Sequence, residues 1–332
     1  MPALPDSDLD HVVQHAASAF KALAGARIFI TGGTGFVGSW LVESLLRADV
    51  GVSVVVVTRD PERYYKTNPS AAQHPAIQVL QGDALTFKYP TGDFPYVIHA
   101  AMPDPVPETD AAGMRRILDF AATHGTARFL FTSSGAVYGK QPPGLTHIPE
   151  DYGFEPTGEV TTYGMAKRVS ESLLMAAGSQ HGFAALIARL FAFTGPRLPL
   201  DANFAVGNFI RDVLVGGPIR IQGDGTPYRS YLYAADLAVW LWTILVHGKA
   251  CRPYNVGSGQ AVTIRELAGL VAEATVPGTL VEIAQRPVPG APAMRYVPSV
   301  ERAARELGLR PEIALEEGVR RMYEWSKRLS TP

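Results

Sequence analysis

Four glycines fall within seven residues in Gly32-Gly33-Thr34-Gly35-Phe36-Val37-Gly38, between a strand-like run, Arg27 to Thr31, and a helix-like segment, Ser39 to Ala48. Glycines 32, 35 and 38 keep a spacing of three. A strand that turns tightly into a helix offers the helix's unpaired N–H groups and its positive dipole end at the turn, and glycine lets a phosphate approach the backbone. The position of the turn between strand and helix, more than the number of glycines, favours this reading over a purely structural bend. It predicts that Gly32, Gly35, Phe36, Val37 and Gly38 receive the pyrophosphate of a dinucleotide.

The chain beyond the turn repeats the same alternation. Val52 to Val57 is a continuous β-branched run, as expected for a strand covered on both faces of a parallel sheet. Further strands read at 77–81, 96–100, 129–133 and 184–190, with helices at 114–124 and 161–177 between them. Alternating strands and helices predict an α/β protein with a Rossmann-type, doubly wound parallel sheet. Residues 1–24 read as an N-terminal helical extension, one helix from Leu9 to Leu23 with Asp8 near its cap and His11 and His15 on a solvated face. Residues 25–194 form the dinucleotide domain, to which 234–256 returns. Dense Gly and Pro punctuation after Thr194 marks 195–233 and 257–332 as a smaller C-terminal substrate-binding lobe over the strand ends.

Composition narrows the function classes. The 332 residues carry 30 basic and 31 acidic side chains, a formal charge of −1 with no basic block, which argues against a nucleic-acid partner. The single cysteine, Cys251, excludes an internal disulfide framework and fits a reducing compartment. Eight scattered histidines give no zinc spacing, so no metal is expected. The longest apolar stretch, Leu237 to Val246, is too short for a bilayer, and the acidic, Pro-containing start lacks the form of a signal peptide. The expected location is the cytoplasm, away from membranes.

Two further places carry chemistry. The second strand ends Val57-Thr58-Arg59-Asp60, where an acid would bind the ribose 2′-hydroxyl of NAD and an arginine would accommodate the 2′-phosphate of NADP. Thr58 stands where the acid is expected, so Arg59 favours NADP, with NAD the alternative. Asp83 offers an acceptor for the adenine amine or serves as an ordinary turn aspartate. Tyr163 and Lys167 lie one helical turn apart on one face. A neighbouring ammonium is expected to lower the phenol's pKa, fitting it to move the proton of a sugar or alcohol oxygen during hydride transfer. Ser134, closing a strand in Thr132-Ser133-Ser134, adds a hydroxyl for the same oxygen.

Taken in order, TGGTGFVGSWL, TSSGAVYG, YGMAK, ARLFAFTGP, GDGTPYRSYLYAADL and YNVGSG resemble the extended short-chain dehydrogenase/reductase superfamily, in its nucleotide-sugar epimerase, dehydratase and reductase branch. The likeness runs from Arg27 to Gly259. It implies a catalytic triad of Ser134, Tyr163 and Lys167, with Tyr163 the acid/base and Lys167 also holding the nicotinamide ribose. It further implies Ala100 at the cofactor, Arg229 on the substrate diphosphate, and Asn208 and Phe209 at the nucleotide. A homodimer built on the Tyr163 helix and the helix preceding the fifth strand is also implied.

Three departures qualify the resemblance. The acidic pair that follows the catalytic hydroxyl in 4,6-dehydratases is Gly135-Ala136 here, which argues against water loss. Ala192 replaces a customary asparagine. Val288-Pro289-Gly290-Ala291 replaces a segment bearing a second diphosphate arginine, leaving Arg286 or Arg295 to substitute. The expected activity is NADPH-dependent reduction of a 4-keto-6-deoxy nucleotide sugar. An NAD-dependent 4-epimerase is the alternative, and a non-catalytic dinucleotide sensor is the reading from a different class.

Overall fold

The computed structural model describes residues 2–72, 74–101, 107–153 and 160–330. Six parallel strands, β1 (Arg27–Thr31), β2 (Ser53–Thr58), β3 (Ile77–Gln81), β4 (Tyr96–His99), β5 (Arg128–Ser134) and β6 (Ala184–Leu190), join the short strand Tyr254–Val256 in one seven-stranded sheet. The order across it is Tyr254–Val256, β6, β5, β4, β1, β2, β3. Strand order therefore reverses between β1 and β4, whose residues pair from Ile28↔Tyr96 to Thr31↔His99. In such sheets ligands bind in the crevice beyond the carboxyl ends of the strands at this reversal. Gly32 leaves β1 at that point and Ala100 leaves β4.

Burial alternates along the strands and builds two cores. Ile28, Ile30, Val54, Val56, Ile98, Leu130 and Leu186 face α1 (Asp6–His15), α2 (Ala17–Leu23), α3 (Phe36–Ala48) and the helix Ala234–His247. Phe29, Val55, Val57, Val97, Phe129, Phe131 and Ile187 face the helices Pro107–Thr123 and Thr162–His181. Every central strand is thus covered on both sides, which explains why β2 reads as an unbroken apolar run.

The N-terminal extension differs from its expected form. It is two helices, broken at Ala16 (φ −103°, ψ 17°), and it is docked, not solvated. Leu9, Val12, Phe20 and Leu23 are buried against the Ala234–His247 side of the sheet. Burial obliges the polar groups of α1 to find partners. Asp8 is fully buried inside α1 instead of capping it, accepting from the Tyr233 hydroxyl at 2.5 Å and from Arg321 at 2.5 Å. His11 Nε2 lies 2.8 Å from Oδ1 of buried Asp236, so the solvated-face reading is corrected for His11, while His15 is exposed and stacks on it.

Beyond β6, the helices Ala205–Leu214, Ile264–Thr275 and Leu315–Ser330 enclose a separate core that includes Val206, Phe209, Ile210, Leu267, Val271, Val319 and Met322. A small sheet here places Tyr228–Arg229 between Val262–Thr263 and Arg295–Tyr296. The helix Glu301–Leu307 packs back on the sheet domain through Ala303. Among the described residues no helix is long and apolar enough to cross a membrane.

Candidate active site

The glycine turn is shaped by close backbone approach. Gly32 has φ +74°, and a Cβ there would collide with the Ala100–Ala101 backbone. A Cβ on Gly33 would lie 2.6 Å from Val56 Cγ1, and one on Gly38 would strike the Gly32 carbonyl. Gly35 is the N-cap of α3, and no side chain caps the helix. The first-turn N–H groups, at Phe36, Val37 and Gly38, are therefore left without a side-chain acceptor at the mouth of a side-chain-free cradle. These residues fit a dinucleotide pyrophosphate.

The carboxylate at the end of β2 is engaged through one oxygen. Asp60 Oδ1 accepts from the Arg63 N–H at 2.9 Å and caps the short helix Pro61–Thr67, and the Asp60 N–H donates to Thr58 Oγ1 at 3.2 Å. Arg59 is exposed beside them. Asp83 Oδ1 accepts from the Thr86 hydroxyl at 2.8 Å and from the Leu85 and Thr86 N–H groups at 2.9 Å each. The Thr86 hydroxyl first, then the N–H groups and the Arg59 charge, hold its carboxyl below the usual range. Ala100 donates its N–H to the Thr31 carbonyl at 3.0 Å, fixing the chain under Gly32.

Ser134, Tyr163 and Lys167 come together where β5 meets the helix Thr162–His181. Thr161 Oγ1 caps that helix by accepting from the Gly164 N–H at 3.1 Å. A Cβ on Gly164 would collide with the Ala136 carbonyl, so the helix starts pressed against the turn Gly135–Tyr138. Ser134 Oγ accepts from the Ala136 N–H at 3.1 Å. Lys167 is buried, donates to the Thr132 carbonyl at 3.2 Å and lies 4.6 Å over the Phe131 ring and 5.8 Å from the centre of the Tyr163 ring. Burial lowers its pKa to about 8, opposed by Asp110 and Glu171.

The phenol of Tyr163 departs from expectation. Burial raises its pKa above the ordinary value, the Ser134 hydroxyl works against that, and Asp110 adds to it. The lysine ammonium is turned to the Thr132 carbonyl, and desolvation outweighs any help it gives the phenolate.

Two residues of this site were not singled out from the sequence. Asp110 is a buried carboxylate whose Oδ2 accepts from Ser170 Oγ at 3.2 Å. Asp110→Asn keeps the shape and removes a charge that favours protonated Lys167. The lysine is then expected to lose its proton at lower pH, moving the alkaline limb of the pH–rate profile acidward. An unmoved limb would show that Asp110 does not act on Lys167. Tyr296 reaches across from the lobe, its ring 4.7 Å from Phe191 and its hydroxyl 2.7 Å from where a Cβ on Gly135 would stand. The Ser134 hydroxyl acts on this second phenol as on Tyr163. The only signal in the sequence was the absence of a side chain at 135. Below the site His99 is buried, with Nδ1 2.6 Å from Thr31 Oγ1, and burial pushes its pKa down to about 3, keeping it neutral.

On the lobe side, Arg229 is half-buried, donates to the Tyr228 carbonyl at 2.8 Å and lies 5.9 Å over the Tyr296 ring. Arg295 stacks on Tyr228 at 4.0 Å. Asn208 lies in the first turn of Ala205–Leu214 and accepts from Arg211 at 3.3 Å. The Phe209 side chain is 3% exposed and packs in the lobe core with Val206, Ile210 and Val213. The sequence leaves the choice of sugar to the loops around 102–108, 140–160 and 192–210, with the prolines at 103, 105 and 107 suggesting a stiff wall near the nicotinamide; of these, residues 102–106 and 154–159 lie outside the described residues. Among the described residues no group of three or more His, Cys, Asp or Glu side chains could hold a metal ion.

A strand-order reversal bearing a glycine cradle, with Ser, Tyr and Lys gathered beside it, defines a dinucleotide-dependent enzyme of the α/β class. Residues 28–257 match the NAD dependent epimerase/dehydratase family, and the chain belongs to that family. It is 31% identical to UDP-glucuronic acid decarboxylase 6 of Arabidopsis thaliana over 92% of this chain and 90% of that one. The fold matches UDP-glucose 4-epimerase of Thermotoga maritima, solved with UDP-glucose, at TM-score 0.76 and 22% identity over 91% of this chain and 99% of that one. It also matches dTDP-glucose 4,6-dehydratase of Bacillus anthracis, solved with NAD, at TM-score 0.77 and 18% identity over 92% and 97%.

Proposed function

We propose that the protein moves hydride at carbon 4 of a nucleotide sugar without removing water, and that its net reaction is reduction of a 4-keto-6-deoxy nucleotide sugar by NADPH. The observation that carries this reading is at Gly135. The space where an acidic side chain would stand is taken by the Tyr296 hydroxyl and by Phe191, whose Cζ also lies 2.7 Å from a Cβ there. With no acid beside Ser134, elimination of water lacks its proton carrier, which supports hydride transfer at carbon 4 over dehydration.

In this reading the cradle at Gly32, Gly35, Phe36, Val37 and Gly38 holds the dinucleotide, with Asp83 and Ala100 on its adenine and nicotinamide sides. When bound, the reduced nicotinamide supplies the hydride. Tyr163 gives its proton to the C4 oxygen, which Ser134 and Tyr296 hold by hydrogen bonds. Its raised pKa keeps the phenol protonated and ready to donate at neutral pH. Lys167, charged below about pH 8, places a positive charge beside the ribose and the forming phenolate. Arg229 suits the diphosphate, because a forked guanidinium matches phosphate oxygens. Asn208, at the start of its helix, is kept as a nucleotide contact. The exposed apolar pair Met165 and Val169 on the outer side of the Tyr163 helix supports a homodimer.

Arg59, with Asp60 engaged as a helix cap, supports NADPH over NADH. Arg59→Ala is expected to weaken NADPH binding about 10- to 100-fold, the worth of a lost charge-assisted hydrogen bond, and to leave NADH within about twofold. Equal effects on both would remove Arg59 from the 2′-phosphate. The NAD-dependent 4-epimerase is favoured by one observation, the second phenol of Tyr296, which gives the C4 oxygen a hydroxyl partner on another side. NADPH oxidation against a panel of 4-keto-6-deoxy nucleotide sugars separates the two. One NADPH lost per sugar supports the reductase, and sugar conversion without net loss overturns it in favour of the epimerase.

A further inference from the structure

The helix Thr162–His181 grips the end of β5 at three consecutive residues. Tyr163 stands at Ser134, Lys167 donates to the Thr132 carbonyl, and between them Ser133 Oγ donates to Glu171 Oε1 at 2.5 Å. Positions 163, 167 and 171 follow one another at intervals of four along one face. Glu171 is 2% exposed, and a buried carboxylate is costly unless paired and hydrogen-bonded. Its partner is Arg189, 4% exposed, with Nε to Oε1 at 3.0 Å and Nη2 to Oε2 at 2.7 Å. Ser133 and Arg189 are register partners on β5 and β6, so one carboxylate ties both strands to the helix.

The network continues toward the lobe. Arg189 Nη1 donates to the Tyr138 hydroxyl at 2.8 Å, which donates to Asn255 Oδ1 at 2.8 Å. Asn255 Nδ2 donates to the Ile148 carbonyl at 2.9 Å, and the Ile148 N–H donates to the carbonyl of Val297, the residue after Tyr296, at 2.9 Å.

We propose that Glu171 is a positioning residue: through Ser133 and Arg189 it fixes the spacing of the Ser134 and Tyr163 hydroxyls and keeps the Tyr296 strand in register with them. The inference rests on the reading above in which Ser134 and Tyr163 serve the C4 oxygen. Buried ion pairs contribute little net stability against an apolar alternative, whereas misplacing reacting groups by about 1 Å costs about a hundredfold in rate. The expected signature is therefore in rate and titration more than in melting temperature.

Ser133→Ala tests this, because it removes one hydroxyl and leaves the Glu171–Arg189 pair intact. The melting temperature is expected to stay within a few degrees, with kcat down about 10- to 100-fold and KM within about twofold. Ser133→Thr restores the rate. The Tyr163 phenol, read as the difference in ultraviolet titration between a protein and its Tyr163→Phe counterpart, is expected to titrate at higher pH once the Ser134 hydroxyl is displaced. Glu171→Asp, which keeps the charge and shortens the reach, is the second variant with the same readouts. Unchanged kcat and titration in a wild-type-active system overturn the positioning role. A wild type inactive on every sugar overturns the proposed reaction, and the titration then decides alone: an upward shift supports positioning, and an unmoved phenol overturns it.

Discussion

Tyr163→Phe is expected to lower turnover about 10²- to 10⁴-fold, the usual contribution of a positioned acid or base, while dinucleotide affinity stays within about twofold. The substitution removes one oxygen and keeps the ring, so the Lys167 ammonium 5.8 Å from the ring centre and the cradle at Gly32 are left in place. Steady-state rates and a fluorescence titration of bound nicotinamide measure the two effects separately. Loss of turnover with retained binding assigns the proton to Tyr163. A rate that survives would move the proton to the other phenol at Ser134, and Tyr296→Phe would then carry the loss. The two tyrosines differ in what surrounds them. Tyr163 is flanked on its own helix by Lys167, whereas Tyr296 lies under Arg229 and against Phe191.

The sheet was legible because its signals are local. The run Val54 to Val57 and the glycines after Thr31 depend on neighbours a few residues away, and β1, β3 and β6 fall where the sequence places them. What the sequence hid is set by contacts between distant segments. Asp8 and His11 read as a cap and a solvated face, yet α1 docks on Tyr233 and Asp236, more than two hundred residues on. The phenol of Tyr163 was expected to fall in pKa because Lys167 is near, but proximity along a helix does not reveal burial, and burial decides the direction here. Tyr296 comes from the lobe to fill the space above Gly135. The Asn208–Phe209 pair shows what spacing alone leaves open. Adjacent helical residues point about 100° apart, so the two side chains do not share a face, and that of Phe209 goes to the lobe core.

Gly38→Ala separates helix propensity from close packing, and its expected effect is loss of both stability and cofactor. Propensity alone predicts a gain, because alanine is better than glycine inside a helix by about 1 kcal/mol. Gly269, in the helix Ile264–Thr275, has nothing within 4 Å of a Cβ built on it, so Gly269→Ala is expected to realise that gain. At Gly38 the same methyl strikes the Gly32 carbonyl and the Gly33 Cα, backbone atoms that no rotamer change can move aside. Overpacking of this kind costs about 1–3 kcal/mol, enough to reverse the sign. Relief requires α3 to withdraw from the turn, which displaces the first-turn N–H groups meant for the pyrophosphate. Dinucleotide affinity is therefore expected to fall by about tenfold or more, since a loss of about 1.4 kcal/mol in those contacts already suffices. Urea unfolding of the two variants and a dinucleotide titration measure the contrast. A lowered midpoint and weakened binding for Gly38→Ala beside a raised midpoint for Gly269→Ala would establish that the turn is glycine-rich because strand, helix and phosphate must meet without side chains. Equal gains in both would mean the turn has room to spare, and the cradle would lose its physical basis.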